Sequence, residues 1–354
     1  MNETEIRILS TLGSEIGNPI SISELTKRIR INYGSADYKN IHKSIQNFGE
    51  KNIIKFEKSG NAMIAKINFA NLLIVDIFTE IEIIKKINFL EKHKKFQSIF
   101  SELIIHVKEF KQLKTLMLLD GDQNAENNKI ELLMIVNDNE IQKETKRIKK
   151  ILEDLKNKYN IEIINLIIEN NNFINYLKSQ ESNIVKENLK NKIILFKAQT
   201  LWIEIKECVV NGFNIKTENE IKLNNISEEE IKYNLSTYGY TEIMNENEFV
   251  KQIELECLII SIMLKEKYQK YFNAIPIIVL KNKEKLNYNL LIYLSNKYET
   301  HEKLFRMFKI INHVFPTKKI ICETKKLTQQ KIKITDAEIK KIKEKMIQYN
   351  MIKE

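Results

Sequence analysis

An α+β protein of two or three domains is what this sequence predicts, on three observations. The chain has 354 residues, too many for one ordinary core at roughly 100 to 150 residues per domain. Its 43% hydrophobic and 29% charged residues allow a buried core and exclude global disorder. Only eight Gly and three Pro occur, far below the usual usage of about 7% and 5%. That scarcity argues against turn-rich barrels and sandwiches and for helices with short strands. No apolar run approaches the roughly 20 residues of a membrane span. The start, Met1-Asn2-Glu3-Thr4-Glu5, is polar and acidic, unlike a secretory signal. A cytoplasmic location and no membrane partner are expected.

Residues 1–70 form the first predicted domain. Ile6, Leu9 and Leu12-Gly13 outline a short amphipathic helix. Ser21-Ile22-Ser23-Glu24 is a capping box, in which each side chain satisfies a backbone donor of the other residue. The helix it opens places Ile22, Leu25 and Ile29 on one face,. A turn with Asn32 and Gly34 follows, and Ser35 is the expected cap of a third helix to about Glu50. Ile41, Ile45 and Phe48 stripe that helix at i, i+4, i+7 spacing,. Alternating residues 54–57 and 62–67 around Lys58-Ser59-Gly60-Asn61 read as a β-hairpin,.

Residues 71–211 form the second predicted domain. Residues 72–113 are mostly helical, with Ile74, Ile77, Phe78, Ile81 and Ile84 on one side,. Strands follow at 115–119, 130–136 and 161–168. A polar loop from Asp120 to Asn128 separates the first two, and a charged helix from Glu140 to Tyr159 precedes the third. This order makes a small α/β unit. Helices then run from Phe173 to about Val210. The Asn- and Glu-rich stretch 212–247 reads as a linker, and residues 248–354 as a mostly α-helical domain. In it, Phe249 to Tyr271 reads as one long helix, and the capping box Thr335-Asp336-Ala337-Glu338 opens a basic terminal one,.

Fifty-seven basic against 47 acidic residues give a net charge of +10, which favours polyanionic partners. Abundant Lys, Asn and Ile with little Arg are also what an AT-rich genome writes into any protein, so charge alone does not decide. Cys208, Cys257 and Cys322 make neither a disulfide framework nor a zinc pattern and are expected to be reduced and buried. The five His have no metal spacing, and no Gly-rich phosphate loop is present.

In the order and spacing of its elements, the N-terminal block resembles the winged helix-turn-helix DNA-binding domains of archaeal and bacterial regulators. The resemblance implies that the third helix lies in the major groove of double-stranded DNA and that the hairpin meets the backbone or minor groove. Ser35, Tyr38, Lys39, His42, Lys43 and Gln46 are the implied contacts from the helix, with Lys55, Lys58 and Asn61 from the wing,. The bland alternatives are a solvated face or a protein-docking wing.

Residues 95–205 resemble the minimal nucleotidyltransferase fold of the DNA polymerase β superfamily, which follows a winged helix in many archaeal proteins. In that family a strand ends in Gly-Ser and the next strand carries two Asp one residue apart, which hold Mg²⁺ for attack on an α-phosphate. Here Gly121 keeps the Gly, Asp122 replaces the Ser, and Lys129 and Glu131 occupy the two Asp positions. Side-chain period two aims Lys129 and Glu131 to one side, where an ammonium repels Mg²⁺ and pairs with the carboxylate. At an exposed strand end such a pair contributes about 0.2–1 kcal/mol. The family's third Asp falls near Glu162 or Asn165. These four positions therefore read as remnants, with no catalytic residue, metal or cofactor.

The C-terminal helices are similar to a helical domain that accompanies such archaeal proteins. Tyr268, Tyr271, Phe272 and Tyr288 are readable as a base-stacking platform, though aromatic residues at helical spacing are more commonly core. Arg306 and His313 lack the close spacing of the RNA-cleaving domains that partner minimal nucleotidyltransferases. The expected function is transcriptional regulation by a DNA-binding pseudoenzyme, in which the helix at 72–113 joins reader to scaffold and serves a homodimer. The alternatives are an active, toxin-like nucleotidyltransferase that modifies RNA or protein using Mg²⁺, and an antitoxin-like or scaffold subunit that binds a protein.

Overall fold

The computed structural model describes residues 1–59, 62–137, 141–179, 183–215, 222–242, 250, 252–317, 320–321, 324 and 334–352. The protein is α+β and divides into two compact units, Met1–Glu220 and Ile221–Glu354. The expected boundary at residue 70 lies inside the first unit, because the helix after it packs on both sides of that point.

The first unit begins with helix α1 (Glu3–Glu15), opened by a capping box between Asn2 and Glu5. Ser21 caps α2 (Ile22–Tyr33) by accepting the Glu24 amide, and Gly34 ends it at φ 79°. That backbone conformation favours glycine. Helix α3 (Tyr38–Glu50) buries Ile41, Ile45 and Phe48, as its stripe predicts. Its cap is Asp37, whose side chain accepts the Lys39 amide, and not Ser35. Strand β1 (Ile20–Ser21) was not legible in the sequence, since two residues carry no periodicity. It pairs with β3 (Ala62–Ile67), which pairs antiparallel with β2 (Ile54–Ser59). The sheet order is β1-β3-β2.

Helix α4 (Ile74–Lys92) buries Ile74, Phe78, Ile81 and Phe89. It packs on α1, where a Cβ at Gly13 would stand 2.6 Å from the Phe78 ring. After α5 (Lys95–Val107) comes a four-stranded sheet of order β6-β5-β4-β7. Its strands are β4 (Leu113–Leu119), β5 (Lys129–Val136), β6 (Glu162–Glu169) and β7 (Lys192–Phe196). Strands β5 and β6 are parallel and the other pairs antiparallel. One face carries Leu116, Leu118, Ile130, Leu132 and Met134 against Phe96, Phe100 and Leu103 of α5 and Leu152 of α7 (Ile141–Tyr159). The other face meets α4, α8 (Asn170–Lys178) and α10 (Ala198–Val210).

Two expectations change here. The polar loop 120–128 contains a one-and-a-half-turn helix, α6 (Gly121–Glu126). The run read as helical from Phe173 breaks into α8, α9 (Ile184–Asn188), β7 and α10, because β7 pairs with β4 through contacts distant in sequence.

In the second unit the Asn- and Glu-rich stretch read as a linker contains α11 (Glu228–Thr237), with Ile231, Asn234 and Leu235 buried. Helix α12 (Leu255–Leu264) stops at Lys265, where the backbone extends before a 3₁₀ stretch, Glu266–Ala274. Helix α12 is buried almost all round, so its end was invisible to periodicity,. Helices α13 (Ile275–Lys281), α14 (Tyr288–Lys297), α15 (His301–Val314) and α16 (Asp336–Gln348) complete the unit. Tyr268, Tyr271 and Tyr288 are 0%, 7% and 5% exposed, which makes them core and no stacking platform. Cys208 and Cys257 are buried; Cys322 lies outside the described residues.

Candidate functional site

Two clusters of the first unit hold the residues singled out by sequence. The first is the exposed side of α3 with the hairpin. Lys39, Lys43 and Gln46 are exposed, opposite the buried Ile41-Ile45-Phe48 stripe. Tyr38 is 48% exposed, and its ring centroid lies 6.0 Å from that of the half-buried His42. Ser35 is exposed in the turn before the helix. Lys55 and Lys58 are exposed on β2, but the period of two sends them to opposite faces. Lys58 shares a face with Phe56, whose ring rests against the α3 backbone at Gly49. Lys55 shares the outer face with Glu57, which pairs with Lys66. Asn61 lies outside the described residues. Among the described residues Lys39, Lys43, Lys55 and Lys58 make no ion pair.

Sequence reasoning missed two features of this cluster. The hairpin's core-side face overhangs the body, leaving Phe56 and Met63 exposed. A groove between the start of α1 and α3 is lined by Glu3, Glu5, Asn40, Lys43, Asn47 and Glu50. Gln46 lines it too, so Lys43 and Gln46 lie beside the carboxylates of Glu3, Glu5 and Glu50.

The second cluster lies at the end of the four-stranded sheet. Asp120 is held at φ 43° and leads into α6. Gly121 is a packing glycine, because a Cβ there would stand 2.9 Å from Ile193, 3.0 Å from Leu118 and 3.1 Å from Phe89. Asp122 accepts from Lys92 Nζ at 2.8 Å, and its Oδ1 lies 2.7 Å from His93 Nε2. Partial burial raises the Asp122 pKa, but the hydrogen bonds from Lys92 and His93 outweigh it and hold the carboxyl below its ordinary range.

On β5, Lys129 Nζ lies 3.0 Å from Glu131 Oε1. The pair is not at an exposed strand end as expected, since the two side chains are only 17% and 2% exposed. Glu162 pairs in register with Lys129 and shares its face, whereas Asn165 pairs with Leu132 on the other. The registers Leu119↔Glu131 and Leu119↔Lys192 set Glu131 and Lys192 on one face, two strands apart,. Lys192 is itself buried, 2.9 Å from the Leu189 carbonyl, 3.8 Å from Glu82 Oε1 and 4.9 Å from the centre of the Trp202 ring. Burial lowers its pKa to about 8, against the opposing pull of Glu82. A carboxylate flanked at 3.0 Å by an ammonium does not fit the two-Mg²⁺ donor set implied by the resemblance. The chemistry this arrangement supports is internal charge pairing.

No protein-family model matches the chain, and comparisons with curated proteins and with solved structures found no match.

Proposed function

We propose that this chain is a DNA-binding transcriptional regulator, a winged helix on a nucleotidyltransferase-like scaffold that has lost its metal site. The carrying observation is that Lys39 and Lys43 of α3 and Lys58 of the hairpin are exposed, with no carboxylate partner for their ammonium groups among the described residues. Charges left unpaired in this way are available to phosphates, and Tyr38, His42 and Gln46 beside them suit base edges. Binding of the full chain to duplex DNA should weaken steeply between 50 and 200 mM salt. The double variant Lys39→Ala/Lys43→Ala should make the log–log salt slope shallower by about 2, one for each phosphate contact removed. Unchanged affinity and slope would remove α3 as the reading helix.

A second reading, an antitoxin-like or scaffold subunit that docks a protein, is favoured by the exposed Ile31 and Leu72, at 71% and 84%. One stoichiometric protein recovered from native lysate, with no duplex binding at physiological salt, would put it first.

A further inference from the structure

We propose that Lys192, Glu82 and Lys85 form a proton switch that sets how firmly α4 is seated on the four-stranded sheet, looser with the proton on Lys192 and tighter without it. Helix α4 joins the N-terminal helices to the sheet. Its Phe78 packs against Gly13 of α1 and stacks on Trp202 of α10, ring centroids 4.3 Å apart. One turn further on, its Glu82 meets Lys192 of β7. The charges at this junction do not balance. Glu82 is 0% exposed, and its Oε1 faces two ammonium groups, Lys85 Nζ at 3.3 Å and Lys192 Nζ at 3.8 Å. Its Oε2 accepts no hydrogen bond among the described residues. One buried carboxylate therefore answers two cations.

No second carboxylate pairs with Lys192 among the described residues. Its other neighbours, the Leu189 carbonyl after α9 and the Trp202 ring on α10, are uncharged. Its register partner on β4 is Leu119, and on β5 Glu131 already holds Lys129. Lys86 of α4 turns to the Leu195 carbonyl. The side chain of Lys85 is 26% exposed and that of Lys192 only 2%, so water steadies the charge on Lys85 alone and Lys192 is the group that yields its proton. The neutral amine keeps N–H donors for the Leu189 carbonyl, and Glu82 with Lys85 is then a balanced pair. Burial holds the Lys192 pKa at about 8, with Glu82 pulling it up and Lys85 pushing it down. When α4 lifts and water reaches the amine, the value returns toward its ordinary 10.5. The open form thus binds the proton more tightly than the seated form, so rising pH suppresses opening, by about tenfold between pH 7 and pH 9.

The test uses the full chain and its single tryptophan, whose fluorescence, excited apart from tyrosine, reads this junction alone. In the natural protein the Trp202 signal should titrate with a midpoint near pH 8, and Lys192→Met should abolish that titration. Lys85→Met should move the midpoint up and Glu82→Gln should move it down, opposite shifts that simple loosening of the packing would not give. Hydrogen exchange over α4, corrected for the intrinsic effect of pH on exchange, should slow about tenfold from pH 7 to pH 9 and be level in Lys192→Met. Lys85 is partly exposed, so its variant keeps the test valid should Glu82→Gln fail to fold. A Trp202 signal that is flat through pH 8, a titration that survives in Lys192→Met, or α4 protection indifferent to pH overturns the switch. None of these outcomes touches the duplex-binding reading, which stands or falls on its own salt slope.

Discussion

Two regions of the first unit use lysine in opposite ways. On α3 and β2, Lys39, Lys43, Lys55 and Lys58 stand in solvent without carboxylate partners among the described residues. Around the four-stranded sheet several lysines are paired with carboxylates of the same unit. Lys92 meets Asp122, Lys114 meets Glu204, Lys129 meets Glu131, and Lys85 and Lys192 share Glu82. The net charge of +10 is therefore not spread evenly as available charge. Phosphates can be met by the first group, whereas the second group holds secondary structure together. A compositional reading of charge cannot separate these uses; only the placement of the carboxylates does.

The largest test of this contrast is at Lys129. Its side chain is 17% exposed and that of Glu131 only 2%, so removing the ammonium takes a charged partner from a buried carboxylate. Lys129→Ala should lose about 1.5–3 kcal/mol, the contribution of a hydrogen bond to a charged group, read as a lower denaturant midpoint at unchanged slope. Lys129→Asp should lose more without divalent ions, because two buried carboxylates then repel. Millimolar Mg²⁺ or Mn²⁺ should restore thermal stability to Lys129→Asp and leave the natural protein unaffected. A natural protein already stabilised by Mg²⁺, with Lys129→Asp adding nothing, would mean that the sheet's lysines are not replacing a metal.

The second unit supplies the opposite case, a buried carboxylate with no cation paired to it among the described residues. Glu256 is 6% exposed and accepts the Asn287 amide. Burial raises its pKa to about 7, and that backbone hydrogen bond opposes the rise. A carboxyl whose folded value is raised binds its proton more tightly in the native state. Its stabilising contribution is therefore complete below about pH 4.5 and is lost as pH climbs through about 7,. Glu256→Gln should remove that loss, stabilising the protein at pH 8 by about 1–3 kcal/mol while changing little at pH 4. Chemical denaturation at the two pH values checks it. A variant equally affected at both would show that the carboxyl stays ionised.

How far the sequence spoke depended on whether the signal was local. The stripes of α2 and α3, the caps at Ser21 and Thr335 and the hairpin are local and were legible. Strand β1 and strand β7 exist because of partners far along the chain, Ala65 and Leu118 among them. Helix α11 was hidden by its Asn- and Glu-rich surroundings, although Ser227 and Glu230 form a capping box and Ile231 and Leu235 lie one turn apart. At the candidate site, the exposure of Lys39 and Lys43 follows from the stripe opposite them. The exposure of Phe56 and Met63 does not, since alternation marks both as core. The Lys92–His93–Asp122 contact joins residues about thirty positions apart and left no trace in spacing.

The smallest expected effect separates structure from charge within α3 itself. Sequence spacing favoured Ser35 as the cap of α3, whereas the side chain that accepts the Lys39 amide is that of Asp37, at 2.9 Å. Ser35→Ala should therefore leave stability unchanged, and Asp37→Ala should cost about 1 kcal/mol through loss of the cap. Asp37→Asn is the sharper variant, because asparagine caps about as well as aspartate while removing a negative charge beside Lys39. If the exposed lysines of α3 meet phosphates, Asp37→Asn should keep the melting temperature and bind duplex DNA slightly more tightly, with the gain fading as salt rises. A gain that survives high salt would place Asp37 against a base and not in the phosphate field. A loss of affinity would mean that the carboxylate accepts a hydrogen bond from the DNA, and the free-lysine account of this face would then have to include an acid that reads sequence.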